Sequence, residues 1–364
     1  MGNTEMFELG GAFFVAWLVS FLLMPALAAW SHRAGMVVNP RLFGVGRPTV
    51  SYMGGMAVLV GLAATLLTSP DVIKYVWPYL LGGAALFSIG VMDDQISGGG
   101  LRPLFRLFLQ TVVAAGTWWG GLQPVITGTI WIDAVLTVFV LVAAVNSINL
   151  LDNMDGLSAG IAAIAAGFFF ILAAMNGQTL VAGLSVALSG CALGFLRTNF
   201  HPARIYMGDA GSLFIGFVLA VLGIKLRFVD APQQIAFMVP VLVLGVAILD
   251  TTLVTVTRVK YGLNPFSGGR DHISHRLVFI GISVRSAVLL VYLAGVALGW
   301  LAIVMSRVDL TTGLILMGLV ISVALFAGGM LGMIPVYEQS ARRRMMLMEV
   351  LDHEDADARL SASN

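Results

Sequence analysis

Acids, amides and histidines are scarce in this chain, and they gather in four short segments. Asp93 and Asp94 stand in GVMDDQ, and Asn146, Asn149, Asp152 and Asp155 in NSINLLDNMDGLSAG. Asp209 stands in YMGDAGSLFIGF, and Asp271, His272 and His275 in GGRDHISHRL. Each segment lies at the end of a long apolar run, where an unpaired charge is expensive. Adjacent carboxylates such as Asp93 and Asp94 repel, which calls for a nearby cation or a proton kept on one of them. The residues Asn146, Asn149, Asp152 and Asp155 are spaced by three, so a continuing helix would set them on one face as a strip of hard oxygen donors. Such donors suit Mg²⁺, which keeps waters and takes few carboxylates alongside substrate phosphates. Capping and Asx turns compete for individual members of the strip.

Gly208 and Gly211 permit close backbone approach around Asp209, and the helix that follows offers its first amides to an anion. An N-cap role for Asp209 is the plainer alternative. The 258–285 segment brings the opposite charge, with Arg258, Lys260, Arg270, Arg276 and Arg285 beside His272 and His275. Cations and imidazoles in a compact run suit a diphosphate. Zinc at His275 is disfavoured, because the neighbouring donors are hard oxygens and no cysteine accompanies it. Together these parts imply phosphoryl or phosphosugar transfer from a soluble, Mg²⁺-bound diphosphate to a lipid acceptor. In such chemistry the protein positions the reactants and neutralises developing charge.

The elements that must position these residues are membrane helices. Of 364 residues, 59% are hydrophobic and 11% charged, against about a quarter charged in soluble domains. A net charge of +1 gives no basis for a nucleic-acid partner. The single Cys191 excludes an intramolecular disulfide and reads as a small packing residue. Eleven runs reach spanning length: 10–30, 50–69, 75–92, 104–121, 130–147, 156–175, 179–197, 211–228, 235–257, 286–306 and 312–336. The first follows Glu5 and Glu8 rather than a basic segment, so it reads as a membrane helix and not as a cleaved signal. Abundant glycine (42 residues) fits close helix packing in lipid.

With the N-terminus outside, sixteen of the 20 lysines and arginines fall on the inner side, leaving Lys74, Lys225, Arg227 and Arg307 outside. The positive-inside rule then makes the C-terminus cytoplasmic. The same parity puts all four polar segments on the cytoplasmic face. The predicted fold is therefore all-α and polytopic, with about eleven transmembrane helices. Residues 1–336 form one transmembrane catalytic unit and 337–364 a cytoplasmic tail.

In order and spacing, GVMDDQ, NSINLLDNMDGLSAG, NFHPARIYMGDAGSLFIGF and RDHISHRL resemble the polyprenyl-phosphate N-acetylhexosamine-1-phosphate transferases, glycosyltransferase family 4. The upstream RPTVSYMGGMAV, with Gly54 and Gly55, resembles that family's first cytoplasmic loop. The resemblance runs from about Arg47 to Leu277. It implies that a UDP-N-acetylhexosamine, foremost UDP-GlcNAc, gives its sugar-1-phosphate to undecaprenyl phosphate and releases UMP at the bacterial cytoplasmic membrane. By the same resemblance Asp209 and Asn149 would hold Mg²⁺, with Mn²⁺ as a substitute. Asp93 and Asp94 would lie by the acceptor phosphate, one of them as base, and Asp152 would share in the chemistry. Arg106 would meet phosphate, Asp155 and Asn199 would face the nucleoside, and Tyr206 would stack on uracil. His272, His275 and Arg276 would meet the diphosphate or the sugar.

The run Asp152-Asn153-Met154-Asp155-Gly156 replaces the Asp-Gly-x-Asp-Gly of some relatives. His272-Ile273-Ser274-His275 lacks the triple histidine of the phospho-MurNAc-pentapeptide branch, which favours a plain N-acetylhexosamine donor. That branch remains the nearest alternative. Attack by the lipid phosphate itself is favoured over an Asp nucleophile. Asp250, in the ninth run, is open between a functional role and pairing with a basic neighbour. A secondary transporter is the rival of another class, but it would place polar groups near the bilayer midplane. Homodimerisation is left open.

Overall fold

A computed structural model describes residues 3–38, 49–96, 100–228, 232–266 and 268–337. The expected tail lies outside them from residue 338 onward. Among the described residues the chain forms thirteen helices and one two-stranded ribbon. The helices are α1 (Asn3–Arg33), α2 (Gly54–Leu67), α3 (Pro70–Gln95), α4 (Pro103–Trp119), α5 (Ile130–Leu151), α6 (Leu157–Met175) and α7 (Thr179–Asn199). They continue as α8 (Gly208–Lys225), α9 (Gln233–Val243), α10 (Gly245–Lys260), α11 (Ile273–Phe279), α12 (Val284–Met305) and α13 (Leu310–Gly332). The ribbon pairs β1 (Val37–Val38) antiparallel with β2 (Val50–Ser51).

Each predicted apolar run carries a helix, but the runs are not equivalent. Eight helices are long and apolar enough to cross a membrane, and α9 with α10 makes a ninth span only if the pair is counted as one. That pair bends by 75° where Leu244 separates the two helices. Pro240 lies one turn before the break, where a missing amide and ring bulk weaken a helix. The helices α2 and α4 have 14 and 17 residues. At 1.5 Å per residue they rise only about 21 and 26 Å, short of a hydrocarbon core of about 30 Å.

Sequence sets several of the boundaries. Pro70 and Pro103 open α3 and α4, where no amide hydrogen is needed. Ser283 and Asp309 cap α12 and α13 by accepting from Ser286 N–H and Thr312 N–H. Burial orders the helices into layers. The small residues of α6 and α8, from Ala159 to Ala166 and from Ala210 to Ala220, sit at the centre. Around them pack α3, α5 and α7. In α13 only Gly313 is buried, and Leu319, Leu325 and Phe326 point outward. An apolar helix with so little burial is stable against lipid and not against water.

Candidate active site

The polar segments meet because α3 and α8 approach very closely. A Cβ on Gly90 would stand 2.3 Å from the Cα of Ala210, so only glycine admits this contact. One turn later α3 delivers its two acids to the first turn of α8. Asp94 Oδ1 accepts from Asp209 N–H at 2.9 Å, and Oδ2 from Ala210 N–H at 3.1 Å. The amides that the sequence offers to an external anion are thus capped from within by Asp94. Asp209 does not cap its own helix. It follows Gly208, whose φ of 76° is one that glycine tolerates without strain. On the other side, Gly54 and Gly55 donate to the carbonyls of Tyr206 and Met207 at 2.9 and 3.0 Å, and Tyr206 N–H donates to Ser51 O at 2.7 Å. The first loop therefore fixes the strand that leads into Asp209.

From the first turn of α4, Arg106 reaches both acids. Its Nη1 donates to Asp93 Oδ2 at 2.6 Å and to Asp209 Oδ2 at 3.3 Å. Asp93 is buried and its other oxygen accepts from Leu101 N–H. Asp209 is more open, its side chain 36% exposed. Asn149 Nδ2 donates to Asp209 Oδ1 at 2.8 Å and to Ser212 Oγ at 2.9 Å. Asn146, one turn earlier, is committed elsewhere: its Nδ2 donates to Gln110 Oε1 at 2.6 Å and to Val142 O at 2.8 Å. Gln110, buried on α4, was not singled out by sequence, and only its polar type on an apolar helix could have signalled it.

Asp152 follows α5 and differs from the other acids. Among the described residues no hydrogen bond reaches its carboxylate, and its electrostatic neighbours are Asp209, Asp94 and Asp155. Burial first, and then those three charges, push it up to about 8. Asp155 instead accepts from Ala203 N–H at 3.1 Å and pairs with His201 Nδ1 at 2.7 Å. Asn199 is 3% exposed and fully engaged. Its Oδ1 accepts from Gly156 N–H at 3.0 Å and its Nδ2 donates to Ile205 O at 2.9 Å. These two residues shape the loop between α7 and α8 as well as lining it. Tyr206 is half-buried beside them.

The histidine segment docks on the same group. Ser274 Oγ donates to Asn153 Oδ1 at 2.7 Å, next to Asp152. His272 pairs through Nδ1 with Asp250 Oδ2 at 2.7 Å. Asp250 is therefore paired with a neighbour, one of the two readings open for it. His275 is held by Ser274 Oγ at 3.2 Å, and its pKa is lowered to about 4 by burial, then by His272 and Arg270. Arg276 is 0% exposed. It donates to Asp271 O at 2.7 Å, Leu331 O at 2.9 Å and Thr257 Oγ1 at 3.2 Å. It thus ties the histidine segment to α13 and has no face turned to a diphosphate. The exposed Arg270 is the cation left at this edge.

The donor set fits a hard divalent ion in part. Asp209 is accessible and Asn149 lies against it, while Asp152 is an acid without a partner among like charges. Among the described residues no three His, Cys, Asp or Glu side chains could hold a metal alone. A hard divalent ion held here would need water and substrate phosphate for its remaining ligands.

The model of glycosyl transferase family 4 matches residues 76–227, which span Asp93 to Asp209. The Bacillus subtilis (strain 168) protein named "Probable undecaprenyl-phosphate N-acetylglucosaminyl 1-phosphate transferase" is 30% identical over 331 residues, covering 88% of this chain and 91% of that one. The chain belongs to the polyprenyl-phosphate N-acetylhexosamine-1-phosphate transferases. Two further members of this transferase family are informative. "Decaprenyl-phosphate N-acetylglucosaminephosphotransferase" of Mycolicibacterium smegmatis is 34% identical, over 72% of this chain and 73% of its own length. "Phospho-N-acetylmuramoyl-pentapeptide-transferase" of Moorella thermoacetica is 35% identical, over 68% and 83%. Membership makes this a multi-pass membrane transferase of cell-envelope synthesis acting on a lipid phosphate.

Proposed function

We propose that this transferase moves GlcNAc-1-phosphate from UDP-GlcNAc to undecaprenyl phosphate, releasing UMP, on the cytoplasmic face of a bacterial inner membrane. The observation that carries the reading is Arg106 spanning Asp93 and Asp209 beside the unpartnered Asp152. It is a cluster of fixed acids with one cation, at the end of the bundle where a soluble diphosphate meets a lipid phosphate. The names of the Bacillus and Mycolicibacterium relatives support GlcNAc. The sequence His272-Ile273-Ser274-His275 supports a plain N-acetylhexosamine over a peptide-bearing sugar. The excess of lysine and arginine on this side supports the cytoplasmic face.

Asp209 and Asn149 would hold Mg²⁺, with Asp152 close enough in charge to contribute. When bound, the ion would neutralise the charge of the diphosphate. An oxygen of the lipid phosphate attacks the phosphorus that bears the sugar, and the bond to the bridging oxygen of UMP breaks. The attacking phosphate is already ionised near neutral pH, so no base is required. Asp94 is occupied in capping α8 and keeps Asp209 in place. Asp93 is occupied by Leu101 and Arg106 and keeps the guanidinium in place. Of Asp93, Asp94 and Asp152, Asp152 is the one whose carboxylate takes no hydrogen bond among the described residues, and it stands with the accessible Asp209 as a group able to meet a ligand. Asp155 and Asn199 hold the loop against which the nucleoside would lie, with Tyr206 at its end.

The experiment is UMP release by the purified protein in detergent with undecaprenyl phosphate, Mg²⁺ and UDP-GlcNAc, alongside Asp209→Asn. Metal-dependent release that the substitution abolishes is the expected result. Release only from UDP-MurNAc-pentapeptide would move the chain to the branch of the Moorella relative. No release from any UDP-sugar by folded protein would overturn the reading.

A further inference from the structure

Beside the acid cluster lies a buried pair, Asp250 and His272. Asp250 is 1% exposed and His272 3%, on different elements and 22 residues apart. Asp250 Oδ2 meets His272 Nδ1 at 2.7 Å while Oδ1 accepts from Ile273 N–H, also at 2.7 Å. A carboxylate that takes both contacts acts as acceptor, so Nδ1 carries a proton and donates it to Asp250. Nε2, on the opposite edge of the ring, carries no hydrogen bond among the described residues and is the ring atom left to meet a ligand. The pair is also correctly placed. Two residues on, Ser274 is bonded to Asn153, whose neighbour is Asp152. The charged and titratable groups around the ring are Asp250 from α10, His275 and Arg276 from α11, and Arg270 and Asp271 from the preceding loop. The His275 ring centre lies 6.0 Å away.

We propose that Asp250 is a positioning residue for the transfer, holding His272 by Nδ1–H so that Nε2 is presented to the sugar diphosphate. This rests on the transferase reading of the site. With both ring nitrogens protonated, Nε2–H donates a hydrogen bond to a phosphoryl oxygen as the lipid phosphate–phosphorus bond forms and the bond to UMP breaks. No proton is transferred. The Asp250 carboxylate balances the positive charge of that imidazolium. A purely structural Asp250 would do no more than pin Ile273 and the start of α11.

The test compares Asp250→Asn and Asp250→Glu with the full-length protein in detergent, following UMP release from pH 5.5 to 9. Imidazole ¹⁵N spectra, assigned with His272→Gln, report the proton on Nδ1. Asp250→Asn keeps a neutral acceptor but removes the charge. The expected result is a kcat lowered by about 100-fold with KM for UDP-GlcNAc little changed. The alkaline limb of the profile should also move down by about one pH unit, and Asp250→Glu should restore part of the rate. The wild-type spectrum should show Nδ1 protonated and strongly hydrogen-bonded, and Asp250→Asn should weaken that signature. An unshifted pH profile accompanied only by lower thermal stability would overturn the proposal, as would a wild-type His272 protonated on Nε2 alone. If no UDP-sugar yields UMP, the transferase reading fails, and the spectra still decide whether Asp250 sets the tautomer.

Discussion

Arg258 grips Asp271 through two parallel hydrogen bonds, Nε to Oδ2 and Nη2 to Oδ1, each at 2.7 Å. The side chains are 2% and 4% exposed. Arg258 Nη1 also donates to Pro265 O at 2.9 Å, and Tyr337 donates its hydroxyl to Asp271 at 2.6 Å. The last turn of α10 and Tyr337, five residues past the end of α13, therefore hold the loop that leads into His272.

Arg258→Met should leave Asp271 buried without its cation, at a cost of about 3–5 kcal/mol. Arg258→Lys should recover only part, because an ammonium cannot form the two-pronged contact. Burial alone would raise Asp271, but its bonds from Arg258 and Tyr337 hold it below the usual carboxylate range. With a folded pKa below about 3.9, the pair stabilises fully above that value and is lost as pH falls through the folded pKa. Thermal melts should therefore separate wild type from Asp271→Asn at pH 7 and bring them together in strong acid. A gap of constant size at every pH would contradict this.

Arg106 offsets two acids, one of them enclosed. Arg106→Gln should leave Asp93 with Leu101 N–H as its remaining donor, destabilising the protein by about 3–5 kcal/mol. UMP release should fall with it. Removing the acid as well, in Arg106→Gln/Asp93→Asn, should recover stability without recovering activity. Melting temperatures and turnover of the two variants measure this directly.

Asp152 at about 8 is mostly protonated near neutral pH while no cation is bound. Mg²⁺ binding that uses this carboxylate must expel the proton, so apparent affinity should rise by up to about tenfold per unit between pH 6 and 8. Titration calorimetry in two buffers of different ionisation enthalpy should register up to one proton released near pH 7. Asp152→Asn should flatten the dependence. Equal wild-type affinity at pH 6 and pH 8 would count against Asp152 as a contributor to the ion's site.

Gly90→Ala tests the contact between α3 and α8. The added methyl meets the Ala210 backbone, so the helices must part and the Asp94 cap must loosen, at about 1–3 kcal/mol. Gly116→Ala is the control, since nothing lies within 4 Å of its added Cβ. It should be neutral or slightly stabilising, as expected for alanine over glycine in a helix. Melting curves of the two variants give the comparison.

The sequence showed that Asp93, Asp94, Asp152 and Asp209 belong to one site, because charges at apolar helix ends on a common side are costly unless they cooperate. It could not divide the work among them. Two adjacent aspartates read identically until their neighbours are known. Here one caps α8 and the other pairs with Arg106, because α8 and α4 arrive on different sides of the α3 terminus. Arg276 illustrates the converse. Its place in a basic, histidine-containing run suggested phosphate, but the approach of α13 surrounds it with carbonyls and leaves it a structural tie.

Some features had little or no local signal. His201 gains meaning from Asp155, 46 residues away, and Gln110 from Asn146, 36 residues away. The break at Leu244 was hidden because α9 and α10 together are as apolar as one span, and hydropathy does not record direction. Membrane insertion, helix number to within two or three, and the clustering of polar segments were determined by the sequence alone. They follow from transfer free energies summed residue by residue along the chain. Which acid is capped, which is paired and which is left open was decided only by the tertiary structure. Those assignments depend on distances of about 3 Å between side chains and amides that the order of residues does not encode.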